Sequence, residues 1–340
     1  MVTLSVLVIS HNQAHLIGRC LDSILAQKLN VSYEIVISDD ASTDDTWNVI
    51  LEYQKKHPNI IRPFKINSTD YNPDITSDRC AINKANVYSR ASGKYVVNID
   101  ADDYLCIDTI YQDQINLLES HQECSICLQN IVMQNDGDDN NFTRLWFPTG
   151  FLYTEGVISQ KMFFEKGLII SNPAVMMKRD VTLEPYEKYG LLFDDFVITL
   201  HHLTFGKAIC IDKAGYVYVQ YQNSIWNTVI KSSYSYLRSM AALNILLYFF
   251  PQFRYDILYN NIIVYIQSLK ALLLKNEIIT IEEGNRKFIS RLNSNLLNLL
   301  INNTVLIKQN LIIRFYLFIF VFASKINLKL FTKFIYYLIK

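Results

Sequence analysis

The sequence predicts an α/β protein: a mostly parallel, Rossmann-like sheet with helices on both faces, followed by an α-helical C-terminal region. Three observations predict it. Short apolar, β-rich runs alternate with helix-period stretches over the first hundred residues; three of those runs end in polar or acidic residues; and after Lys231 the pattern turns helical throughout.

Each element follows in order. Residues 4–10 (LSVLVIS) have the length and composition of a strand buried on both faces. Leu16, Ile17, Cys20, Leu21, Ile24 and Leu25 then fall on one helical face, ending near Gln27. Residues 33–38 (YEIVIS) form a second strand that runs into Asp39, Asp40, Ala41, Ser42, Thr43 and Asp44. Ser42 or Thr43 is placed to cap the next helix, which carries Trp47, Ile50, Leu51 and Tyr53. A third strand is expected over residues 60–64 and a helix over 79–91. Gly93 then leads into a strand over 95–99, which ends in Asp100, Ala101, Asp102 and Asp103. Residues 142–227 are mixed, and 136–141 (DGDDNN) are the most loop-like stretch. Helices are expected over 234–250, 255–274 and 279–300, with a final one from about Val305. The expected division is therefore a nucleotide-binding and catalytic domain over 1–230 and a helical region over 231–340.

The bulk numbers suit a packed globular chain: 340 residues, half of them hydrophobic and 19% charged. Zero net charge hides a split. Residues 1–230 carry about ten more acidic than basic side chains, and residues 231–340 about ten more basic than acidic. The first part suits a cation and the second an anionic surface. The six cysteines are scattered, and no basic-then-apolar leader precedes the first strand, so a reduced, cytoplasmic setting is expected. Cys124 and Cys127 form a CxxC, but no second pair completes a zinc site, which favours buried thiols in a strand.

In parallel α/β sheets ligands sit at the carboxyl ends of the strands. Here those ends hold Ser10 and His11, then Asp39 and Asp40, then Asp100 to Asp103. Asp100 and Asp102, spaced i, i+2 at a strand end, can converge on one cation if the backbone turns. Mg²⁺ or Mn²⁺ takes oxygen ligands, commonly one or two carboxylates plus substrate phosphates.

The segments VLVISHN (6–12), IVISDDASTDDT (35–46) and GKYVVNIDADD (93–103) resemble, in order and spacing, the family 2 glycosyltransferases. The likeness is strongest over the first 110 residues and continues through Asp194 and Asp195 to Trp226. It implies the GT-A fold, an inverting reaction of the EC 2.4 class and a divalent metal. It further implies that Asp39 accepts the N3–H of a uracil-type base, with Ser10 and His11 flanking the base. Asp100 would meet the ribose or the metal through water, and Asp102 would bind the metal directly. Asp195, or its neighbour Asp194, would be the base that takes the acceptor proton. Simpler roles compete: Asp39 or Asp40 as a cap, Asp103 as an N-cap, and the 194–195 pair as carboxylates favoured by a helix dipole.

The chain departs from the family where relatives carry an Arg-Asn pair, here Ile82-Asn83, and a Tyr-Arg, here Tyr221-Gln222. Arg79 or Lys84 is then the candidate for the donor diphosphate. Trp226 suits either sugar stacking or packing, and His201 and His202 suit solvated or capping positions better than metal ligation.

Residues 311–323 are apolar apart from Arg314, and a helix of that length spans about 20 Å, short of a ~30 Å bilayer core. Lys325, Lys329 and Lys333 form one stripe on an otherwise apolar helix. That pattern suits peripheral attachment at the cytoplasmic face of the inner membrane, and equally packing on the catalytic domain or a second copy of the chain.

The resemblance thus implies a transferase moving sugar from a nucleotide-sugar donor, a UDP-sugar, to a glycan or lipid-linked acceptor in bacterial surface polysaccharide assembly; nucleic acid is not expected as a partner. Alternatives are a sugar nucleotidyltransferase, which needs a Gly-rich basic loop that Ser10-His11-Asn12-Gln13 does not supply, a receiver-like signalling domain, which leaves the 194–195 pair and the basic tail unexplained, and a non-catalytic scaffold of the same fold.

Overall fold

The computed structural model describes residues 2–66, 76–136, 142–145, 156–160, 175–180 and 195–221, with the isolated positions 250 and 252. The chain divides into two compact units, one of Met1–Gln160 with Ile169–Ser224 and one of Lys161–Leu168 with Ile225–Lys340. Apart from positions 250 and 252, the expected helical region 231–340 lies outside the described residues, as does its basic stripe. Among the described residues no helix is long and apolar enough to cross a membrane.

The first unit is built as β1 (Leu4–Ser10), α1 (Ile17–Leu25), β2 (Tyr33–Asp40), α2 (Thr46–Lys56), β3 (Ile61–Ile66), α3 (Thr76–Arg90), β4 (Tyr95–Asp100), β5 (Tyr104–Leu105), α4 (Ile110–Ser120), β6 (Cys124–Asn135), β7 (Phe142–Leu145), β8 (Gly156–Ile158), β9 (Val175–Lys178), α5 (Asp195–Leu203) and β10 (Lys207–Gln220). One sheet runs β3-β2-β1-β4-β9-β6-β10-β5, with β7 on β6 and β8 on β10.

The β3-β2-β1-β4 half is parallel, as the alternation predicts. The other half is mixed, with β10 parallel to β6. β9 lies antiparallel between β4 and β6, and β5 pairs antiparallel with β10. Neither is legible locally, because a four-residue and a two-residue strand carry too little pattern to reveal direction.

Helices cover both faces. Ile17, Cys20, Leu21 and Ile24 of α1, Ile50 of α2, and Ile110, Tyr111, Ile115 and Leu118 of α4 join one core with Val6, Val8, Ile37, Val97 and Ile99. On the opposite face α3 lies against β1 and β2, with Ile82 packed on Ile66. Side chains alternate between the faces at a period of two, and β1 and β4 are buried on both, whereas β3 keeps Arg62 and Lys65 outward.

The turn into β4 is fixed by close approach. A Cβ at Gly93 would lie 2.6 Å from the Ser5 backbone nitrogen, so any larger residue would push β4 away from β1. Ser5 Oγ accepts from the Gly93 N–H at 2.8 Å, and the Glu34 carboxylate accepts from the Ser92 N–H at 2.7 Å. Cys124 and Cys127 are buried in β6 and free, as expected of strand thiols.

Candidate active site

The carboxyl ends of β1, β2 and β4 lie side by side. In the ladders Ser10 stands opposite Asp39 and Ile9 opposite Asp100, so positions 39 and 100 flank the tip of β1, about 10 Å apart across two strand spacings. Ladder partners share a face while successive residues alternate. Asp39 therefore belongs to the α1 face, and Asp100 would point to the α3 face. The chain turns immediately after Asp100: the Asp103 N–H donates to the Asp100 carbonyl at 3.0 Å, and the Ala101 N–H donates to Ile9. That turn brings Asp102 back to the α1 side, where the Gln13 side chain donates to its carboxylate and Arg19 lies close by.

The β1–α1 loop joins these tips. His11 donates through Nδ1 to the Asp40 carbonyl at 2.7 Å, which leaves Nε2 to accept from Asn12 at 3.3 Å. Asn12 donates its N–H to Ser42 Oγ at 2.9 Å, and its Oδ1 accepts from the Thr43 N–H at 2.8 Å. The N–H groups of Gln13 and Ala14 reach Thr46 and Asp44. One loop thus touches the Asp39–Asp40 tip through Asn12 and His11, and Asp102 through Gln13. Two residues here hold left-handed backbone, Asn12 (φ 53°) and Ala41 (φ 50°). Asn tolerates that region and Ala does so at a cost, so the facing loops are held by their cross-links.

Asp39 is wholly buried. Its Oδ1 accepts from Ser42 Oγ, and its Oδ2 lies 3.7 Å from Lys65 Nζ. Ser10 is also buried and donates to the Ser38 carbonyl at 3.1 Å. Ser42 and Thr43 do not cap a helix: α2 starts at Thr46, and these residues serve Asp39 and Asn12 instead. Asp39 and Asp40 are likewise not caps.

Asp102 is only partly exposed. Burial, and then repulsion from Asp100, push its carboxyl up to about 7. Asp103 is 1% exposed and pushed well above the usual range by burial and by the two neighbouring carboxylates, against the hydroxyl of Tyr216 and the N–H of Val219, which both donate to it. An N-cap role for Asp103 is excluded, since α4 begins at Ile110; it ties the turn to β10 instead. Cys20 donates to the Asp100 carbonyl at 3.7 Å, and the three carboxylates all act to raise its thiol further after burial. Tyr221, pushed up to about 12 chiefly by burial, feels Arg19 and Asp102 as well.

Arg79 lies in α3 and Asp195 opens α5, with their side chains outside the description; Asp194, Trp226 and the segment 222–249 lie outside the described residues. His201 and His202 are buried rather than solvated. His201 Nε2 pairs with Asp180 at 2.9 Å, and His202, lowered to about 4 by burial, donates through Nδ1 to the Ile198 carbonyl. Sequence reading missed Gln13, Arg19, Tyr216 and Tyr221 as neighbours of the acidic turn. Only the helical periodicity placed Arg19 beside Cys20 at the edge of a buried face.

Among the described residues no three His, Cys, Asp or Glu side chains gather as a metal cage. Asp100 acts on Asp102 by its charge, and a carboxylate pair is the oxygen chemistry that a hard divalent ion takes together with phosphate and water. Their crowded like charges fit such an ion.

Comparison with known proteins bears on the same region. Residues 5–184 match the family described as "Glycosyl transferase family 2". An uncharacterized protein of Mycobacterium tuberculosis is 24% identical over 227 residues, 66% of this chain and 61% of that protein. The chain thus matches about three fifths of the length of such relatives. A poly(ribitol-phosphate) beta-glucosyltransferase of Bacillus spizizenii is 30% identical over 103 residues, 30% of this chain and 15% of that enzyme. The crystal structure of S. aureus TarS 1-349 in complex with UDP-GlcNAc superposes with a TM-score of 0.55 at 16% identity, covering 78% of this chain and 79% of the other, and so shares the GT-A-type fold.

Proposed function

We propose that this chain, which belongs to glycosyl transferase family 2, is an inverting transferase that moves a sugar from a UDP-sugar to a hydroxyl of a glycan or lipid-linked acceptor. The pathway it would serve is bacterial surface polysaccharide assembly, in keeping with the polymer named for its Bacillus relative. The observation that carries the reading is the convergence of Asp39 and the Asp100–Asp102 turn on one loop, from separate strand tips.

The chemistry follows from these positions. Asp39 is acceptor-only when ionised and has about four lone-pair sites; the Ser42 hydroxyl, the Ser42 N–H and Lys65 engage three of them, and the remaining one would take the N3–H of uracil. Ser10 and His11 form the rim beside it. Asp102, with Asp100, would hold Mn²⁺ or Mg²⁺. Bound there, the ion would offset the charge of the departing diphosphate. At the head of α5, Asp195 would accept the proton of the acceptor hydroxyl as its oxygen bonds the anomeric carbon from the face opposite the diphosphate. As that bond forms, the bond from the anomeric carbon to the diphosphate oxygen breaks, and an α-linked donor yields a β-linked product. Asp194 is the alternative base, and Arg79 a candidate for the diphosphate.

The basic, apolar tail would hold the protein peripherally at the cytoplasmic face of the inner membrane, where a lipid-linked acceptor meets a soluble donor. The full chain should sediment with anionic vesicles at low salt, and exchange of Lys325, Lys329 and Lys333 for Glu should abolish that. A chain that stays in the supernatant instead packs its tail on protein.

The decisive assay is nucleoside-diphosphate release from a panel of nucleotide sugars with Mn²⁺ and lipid-linked acceptors. UDP release should be lost in Asp102→Ala and in Asp195→Ala. Turnover unchanged in both would overturn the assignment, and triphosphate-dependent synthesis of a nucleotide sugar would favour a nucleotidyltransferase.

A further inference from the structure

The acidic turn carries a charge problem, and Arg79, whose side chain lies outside the description, is not the one cation that could answer it. A nucleotide-sugar pyrophosphate brings two negative charges to a place already holding Asp100 and Asp102, and one divalent ion cancels only half of the four. A cationic side chain within reach of the same turn would offset part of the remainder.

Arg19 meets that description. It projects from α1 on the face to which the turn returns, and its Nη2 lies 3.4 Å from the Asp102 carbonyl oxygen. Its guanidinium sits 4.4 Å from the ring centroid of Tyr104, the residue just after the acidic cluster. The Tyr104 hydroxyl in turn donates to Gln134 at 2.8 Å, which fixes the plate on which the cation lies. Stacking engages the face of the guanidinium, whereas its donors lie around the edge in a fork that matches phosphate oxygens. Arg19 is half-buried. Its charge also acts on both Asp102 and Tyr221. The other described cation near the strand tips, Lys65, stands at the far side, 3.7 Å from Asp39 and 4.9 Å from the centre of the Trp47 ring.

We propose that Arg19, held on Tyr104 beside the Asp102 turn, is the side chain that binds the pyrophosphate of the donor. This rests on the transferase reading above and adds to it a residue that the family likeness does not assign. Arg19 stabilises the diphosphate both in the bound donor and as it leaves.

The test is calorimetric titration of UDP, of uridine and, for wild type, of GDP, each with Mn²⁺, into the full chain. Wild type, Arg19→Gln, Arg19→Lys and Tyr104→Leu are compared, with circular dichroism to confirm folding. Arg19→Gln should weaken UDP about tenfold while uridine changes less than about twofold, because only UDP carries the group that Arg19 meets. Arg19→Lys, which keeps charge and loses the fork, should fall between. If the Gln variant does not fold, the UDP-to-uridine ratios of the Lys and Tyr104→Leu variants decide. A folded variant that binds UDP as wild type does overturns the proposal, and so does an equal loss of UDP and uridine, which would make Arg19 a prop for the loop. Wild-type protein that binds neither UDP nor GDP would overturn the transferase reading as well.

Discussion

Two carboxylates at opposite ends of the same sheet are both withdrawn from water, and they fare differently. Glu34, at the start of β2, is 3% exposed. Burial pushes its carboxyl up, but donations from Ser5, Ser92 and Arg62 outweigh it and hold the group below its usual value. Asp102, beyond the end of β4, is raised to about 7, because burial and Asp100 outweigh what Gln13 and Arg19 return. The first end has satisfied its charge within the protein, and the second has not. A raised carboxyl at a strand tip is the kind of group that functional sites hold, and it is there that the proposed function puts a cation.

Substitutions sharpen that contrast, beginning with the largest effect. On the proposed function, in which Asp102 holds the metal, Asp102→Asn should lower donor turnover by roughly a thousandfold. The same change should leave thermal stability equal or higher, since it removes like-charge crowding. A large fall in melting temperature would contradict the contrast.

Glu34→Ala should do the reverse. It strands the Ser5 and Ser92 donors and should cost about 2–3 kcal/mol in urea unfolding. UDP affinity per folded molecule should be unchanged, since Glu34 lies at the far end of the strands.

The pH dependences should carry opposite signs. Asp102 has a raised folded value, so the apo protein binds more protons than the unfolded chain between about pH 4 and pH 7, and stability falls as pH rises through that window. The stability gap between Asp102→Asn and wild type should therefore widen in favour of the variant from pH 5 to pH 8, and Mn²⁺ should narrow it. Glu34 has a depressed value. Its contribution is present above the ordinary glutamate range and is lost as pH falls through its folded value, so Glu34→Gln should cost less in acid than at neutral pH. Parallel slopes for the two variants would break the comparison.

The smallest effect belongs to Ala41. At φ 50° a Gly removes Cβ strain, worth about 1 kcal/mol before the entropy of the unfolded chain offsets part of it. Ala41→Gly should therefore shift the melting temperature by no more than a few degrees.

Much of this was legible in the chain. Val6, Val8, Ile35, Ile37, Val97 and Ile99 announced strands by local composition, and the acids following them announced a site because strand tips are where loops open. Asp103 was not legible. Its neighbours in sequence suggested a helix cap, whereas its partners Tyr216 and Val219 come from β10, more than a hundred residues later. Ser42 and Thr43 also looked like caps, but partners from the facing loop outcompeted the helix end.

By itself the sequence determined the strands β1 to β4, their alternation with helices and the acidic endings of β2 and β4, because these depend on periodicity and composition read within a few residues; their spatial order came from the tertiary structure. Tertiary structure alone decided which acid is neutralised and which is left in repulsion, and that β9 and β5 run against their neighbours. It also set Arg19 on Tyr104 beside the acidic turn. Charge and register of that kind are settled between segments distant in the chain, where burial strengthens every interaction and no local pattern records the partner.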